Sequence, residues 1–161
     1  MAWTDLTAYA AGRFTVAMAE LLRGNFKAIG DPWTSYGTPS TLWTAVTTNP
    51  TIGNGTCTGR YMQAGKWVQG SISVVFGSTT TAGSGNYQFL FPVTPLNQRC
   101  MVGKADLLDA SASTPFARVT VGINGTNFVI ADFANARVSN ASPITWATGD
   151  RIDIGFTYEA A

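Results

Sequence analysis

The 161-residue chain contains no histidine. That absence removes every Ser-His-Asp or Cys-His arrangement, every His-ligated zinc site and the commonest general base near neutral pH. Cysteine is nearly as scarce. Cys57 and Cys100 are too few for a disulfide framework, and both are expected to be reduced thiols with a packing role. Charge is thin as well, at 12% of residues against ~25% in ordinary soluble domains. The net charge is +1, and the three lysines and seven arginines are scattered singly from Arg13 to Arg151. No basic stripe exists to neutralise a run of phosphates, so no nucleic-acid partner is expected. Long apolar runs are missing too. The longest, Phe14 to Leu22, is interrupted by Thr15 and Glu20 and is too short to insert across a membrane. No signal peptide is readable, because Asp5 sits early and no basic segment precedes an apolar core. The sequons at Asn54, Asn124 and Asn140 are therefore read as products of an Asn/Gly/Thr-rich composition.

What is present changes period along the chain. Phe14, Met18, Leu21, Leu22, Phe26 and Ile29 recur at three- and four-residue steps, one stripe of an amphipathic helix with Arg13, Glu20, Arg23 and Lys27 mostly off it. Gly30-Asp31-Pro32 is a stop signal. Gly24 weakens the interior by up to ~1 kcal/mol relative to alanine, so the stripe needs a partner surface. The six apolar residues are the candidate assembly contact. Thr34 to Ser40 reads as an extended linker. Beyond it, alternation with a period of two takes over. Thr56–Gln63 and Lys66–Phe76 form an expected hairpin, with Val68, Ile72, Val74 and Phe76 on one face. Tyr87–Phe91, Arg99–Leu108, and Arg118–Ile123 with Asn127–Phe133 around Asn124-Gly125-Thr126 follow. A last strand carries Ile152, Ile154, Phe156 and Tyr158 in phase. The expected fold is mainly β: an N-terminal amphipathic helix followed by an antiparallel β-sandwich or jelly-roll-like domain. The expected division is residues 1–31 as a helical anchoring or oligomerisation segment, 32–42 as linker and 43–161 as the β-domain.

Candidate chemistry is sparse. Gly53-Asn54-Gly55-Thr56-Cys57-Thr58 begins like a dinucleotide fingerprint, but Thr58 stands where the third glycine belongs and no Gly-Lys-Ser/Thr follows. Strands on both sides make it a turn, and no cofactor is expected. The close carboxylate pairs are Asp106 with Asp109 and Asp150 with Asp153, and each is better read as turn or solvent-face chemistry than as a catalytic pair. Asp106, Asp109 and Asp132 lack the ligand spacing of a calcium loop, so no metal is expected. Cys57 has no base partner. Among Trp3, Trp33, Trp43, Trp67 and Trp146, core or subunit contact is favoured over sugar stacking. Trp67 falls on the face opposite Val68 and Ile72 and must be covered by something.

The strings TTNPTIGNGTCTGRYMQAGKWV, FGSTTTAGSGNYQFLFPV and SPITWATGDRIDIGFTYEA, from about Trp43 onward, resemble a β-rich module of tailed-bacteriophage virion proteins, especially those of phages of actinobacteria. The N-terminal LLRGNFKAIGDPW resembles the helical lead-in of such modules. The resemblance implies a non-enzymatic structural or adhesive part with no catalytic residues, displayed on the virion as a homotrimer. It implies capsid or tail proteins as partners, assembly in the bacterial host cytoplasm, and a place as head decoration, fibre or minor tail protein. The alternative reading is a carbohydrate-binding or glycan-degrading tail protein acting on a host-surface glycan.

Overall fold

The computed structural model describes residues 17, 19–24, 33–96, 101–112, 114–125, 127–131 and 136–161. Residues 19–24 are helical (α1), inside the span where the apolar stripe predicts a helix. Of that stripe, Leu21 and Leu22 are half-buried, and Phe14, Met18, Phe26 and Ile29 lie outside the described residues.

The fold is mainly β and antiparallel, as the alternation predicts. Among the described residues the strands are β1 (Thr34–Ser35), β2 (Trp43–Ala45), β3 (Thr56–Ala64), β4 (Trp67–Val75), β5 (Tyr87–Leu90), β6 (Met101–Asp109), β7 (Thr114–Asn124), β8 (Asn127–Ala131) and β9 (Arg151–Glu159). They form one sheet in the order β1-β3-β4-β9-β6-β7-β8-β5-β2. Both predicted hairpins are present. Ala64 faces Trp67 across the two residues Gly65 and Lys66, and Asn124 faces Asn127 across the turn that contains Gly125. Alternation decides the register, because a slip of one residue would turn every apolar side chain outward. On β4, Val68, Ile72 and Val74 are buried; on β9, Ile152, Ile154, Phe156 and Tyr158 are.

The two outermost strands, β1 and β2, are neighbours in sequence, joined through the helical turn α2 (Pro39–Leu42). This short element is closed at its start by the Thr38 backbone N–H donating to Thr41 Oγ1 at 2.8 Å. Of the stretch expected as an extended linker, Thr34–Ser35 form β1 and Pro39–Ser40 begin α2, and the stretch lies against the sheet. Its Tyr36 N–H donates to Gly59 O of β3 at 3.0 Å, while the Tyr36 hydroxyl donates to Leu90 O of β5 at 3.1 Å. Tyr36 and the buried Leu42 both lie over Gly59. One short segment thus bridges strands near opposite ends of the sheet, and the sheet curls on itself around a single core.

Two aromatic clusters fill that core. Trp43 meets Phe76 and Tyr87 edge-on at 5.2 and 5.1 Å, and Phe76 stacks on Trp146 at 4.9 Å. Across the curl, Phe128 of β8 meets Phe156 of β9 at 4.5 Å and Phe91 at 3.8 Å. Burying each such ring contributes about 1.5–3 kcal/mol relative to leaving it in water.

Candidate functional site

The outward side chains of β3, β4, β9 and β6 lie in register and form two polar rows. One row runs Thr58, Ser73, Asp153, Asp106, each directly opposite the next. The other runs Arg60, Ser71, Gly155, Lys104. Together with Ser35 of β1 they line a groove of about 710 Å³.

Several walls of this groove are held in place. Ser73 Oγ donates to Asp153 Oδ1 at 2.6 Å, and Arg151 Nε lies 3.9 Å from Asp153 Oδ2. Arg60 Nε donates to Ser71 Oγ at 3.3 Å, and its guanidinium sits 5.1 Å from the centre of the Trp33 ring. Trp33 and Trp67 are 39% and 48% exposed, while Trp43 and Trp146 belong to the core and Trp3 lies outside the described residues. Among the described residues Trp67 is about half covered.

The structure regroups the carboxylates. Asp153 faces Asp106, 47 positions away in the chain, and neither of the sequence-adjacent pairs makes a joint site. Asp150 is a buried structural group, 1% exposed, accepting from the Ala110 N–H at 2.9 Å and the Ala147 N–H at 2.7 Å. Asp109 closes the turn after β6, accepting from Ser111 Oγ at 2.7 Å and from the Ser111 and Ala112 N–H groups. The Ser111 hydroxyl and these amides hold its carboxyl below the usual carboxylate range. Asp132 lies outside the described residues. Among the described residues no three acidic or thiol groups are placed to hold a metal ion.

The glycine-rich loop at residues 53–55 is docked, and its backbone does not open as a cradle. Asn54 donates from Nδ2 to Ser78 Oγ at 2.9 Å, and its Oδ1 accepts from the Thr79 N–H at 2.9 Å. Gly53, at φ +55°, passes so close to Thr79 that a side chain there would strike its carbonyl. Thr51 and Thr81 pair through both backbone amides. The loop therefore interlocks with the polar Ser78–Gly85 segment. Cys57 is a free, buried thiol whose pKa burial pushes up to about 12, so it stays protonated and inert; Cys100 lies outside the described residues.

The chain is 32% identical over 113 residues to the "Mu-like prophage FluMu defective tail fiber protein" of Haemophilus influenzae. The alignment takes in 69% of this chain and 18% of that protein, so the chain spans about a fifth of the length of the curated relative it matches. No family model and no solved structure matches it. Among the described residues no helix is long and apolar enough to cross a membrane.

Proposed function

We propose that the chain is a structural module of a phage virion, of the tail-fibre kind, working by binding and assembly and not by catalysis. The similarity to a tail fibre protein supports this reading most directly. The curled antiparallel sheet, with its polar Ser/Thr-rich outer face, suits a sandwich-like unit displayed from a particle. The division of labour has residues 1–31 as the helical attachment segment, 32–42 leading into the sheet, and 43–161 as the displayed domain. Phe14, Met18, Leu21, Leu22, Phe26 and Ile29 supply the apolar contact, and three copies assemble side by side. The partners are other virion proteins, assembled in the bacterial cytoplasm. Between the tail and the head, the relative's name favours the tail.

Antibody raised against the chain and applied to purified particles should label the tail; label confined to the head would overturn the placement. Sedimentation of the full chain should give a trimer, and a monomer at all concentrations would overturn the assembly. Leu21→Asp together with Leu22→Asp should leave the β-signature of circular dichroism intact and abolish incorporation into particles.

A further inference from the structure

We propose that the apolar corner made by Trp33, Met62, Ala64 and Trp67 receives the chain's own N-terminal helix through its apolar stripe. Where the groove lies, the outer face of the sheet is polar, carrying Thr58, Ser71, Ser73 and Asp153. Towards the β3–β4 turn it changes character. Trp33 precedes Thr34, which faces Tyr61, so it comes alongside Met62. Trp67 faces Ala64, two places further along β3. Both indole rings are exposed, and Met62 and Ala64 are half-buried. Trp33 and Trp67 are two of the three large apolar side chains left exposed among the described residues, Val46 being the other. The Arg60 guanidinium, 5.1 Å from the Trp33 ring centre, pins that ring from the polar side. Apolar surface gathered in this way marks a contact site.

The chain itself selects the occupant. Residues 19–24 are helical, with Leu21 and Leu22 on the stripe. An isolated helix of the length the stripe predicts is marginal in water, and Gly24 weakens it further, so its helicity depends on a packing surface. Only Gly30, Asp31 and Pro32 separate Ile29, where the predicted stripe ends, from Trp33. That length of chain reaches at most about 14 Å. The corner is two strand spacings wide, roughly 10 Å, so the helix is tethered within its own width of the site. The direction is right as well. Followed backward from Ser35 to Thr34, the chain runs towards Ala64 and the Trp67 end of the sheet. A short tether holds its helix at an effective concentration of roughly millimolar, which a second copy would have to exceed. The docking needs no particle; resting on the attachment role above, it adds that the free chain keeps its stripe covered until a virion surface takes it over.

Amide hydrogen exchange on the full chain tests the docking. The amides of residues 19–24 should be protected, and equally so at micromolar concentration and about a hundredfold above it. Trp67→Asp should lower that protection by about tenfold or more, while the β9 amides exchange as in the wild type. In the reverse direction, Leu21→Asp with Leu22→Asp should shift the indole N–H resonances of Trp33 and Trp67 and leave that of the buried Trp43 in place. Unprotected helix amides, wild-type protection in Trp67→Asp, or unmoved Trp33 and Trp67 resonances would overturn the docking. Protection that grows with concentration would assign the corner to a second copy and overturn the occupant. Incorporation into particles is read separately and judges only the attachment role.

Discussion

Asp150 shows how much one side chain can carry. Its carboxylate pairs with two backbone amides from separate loops, while its own carbonyl accepts the Phe76 N–H at 2.9 Å. The end of β4, the turn after β6 and the start of β9 all converge on this residue. Removing the carboxylate strands two amides, and a buried unsatisfied group costs about 1–3 kcal/mol. Asp150→Ala should therefore lower stability by about 3 kcal/mol and Asp150→Asn by about half of that, since the amide keeps one acceptor. Urea midpoints measure both, and an Asp150→Ala midpoint equal to wild type would contradict the assignment. The sequence places Asp150 after Gly149 in a turn, which is correct. The Ala147 amide is local, three residues back, but the burial follows from the turn at residue 110 arriving from 40 positions away, and no local pattern encodes that. The same is true of the groove: Asp106 and Asp153 become neighbours only through the register of β6 on β9.

At the scale of elements, the long strands were legible because each buries one face, so their residues alternate. β1 and β2 were not. Two and three residues carry no period, and both are held by partners far along the chain, Thr34 by Tyr61 and Trp43 by Phe89. The docking of the loop at residues 53–55 on Ser78–Gly85 was hidden for a related reason. Asn, Gly and Thr signal a turn but do not name what the turn touches. Gly53→Ala tests that docking. Its φ of +55° strains any other residue, and the Thr79 carbonyl occupies the space a methyl needs. The cost should be about 2 kcal/mol, read from the thermal midpoint. Gly65→Ala is the control: also at positive φ but with open space around it, it should cost about 1 kcal/mol, the backbone strain alone.

For the whole molecule, three tyrosine hydroxyls act as fasteners: Tyr36 to Leu90 O and Tyr158 to Val93 O tie distant segments, and Tyr87 to Ala82 O holds the loop just before β5. Burial raises the pKa of all three above the ordinary 10.0, that of Tyr158 to about 12. In the unfolded chain they ionise near pH 10. The stability they contribute is thus fully present below that pH and is lost as pH rises through the folded values. Urea midpoints should be level from pH 7 to about 9 and fall steeply above about 10. Tyr158→Phe should make that fall shallower. Titration of all the tyrosines near pH 10 with the fold intact would refute the account.

The strand order also sets a timetable. β9 lies between β4 and β6, paired along its length with β4 and from Arg151 to Phe156 with β6, yet among the described strands it is the last to leave the ribosome. Before it arrives, the β3–β4 hairpin and the β6–β7–β8 meander can each form, but no strand joins them, and each shows a bare edge beside β9's empty slot. The nascent domain is therefore two half-sheets with sticky flanks, and the residues from Arg151 to Glu159 turn them into one body in a single closing event.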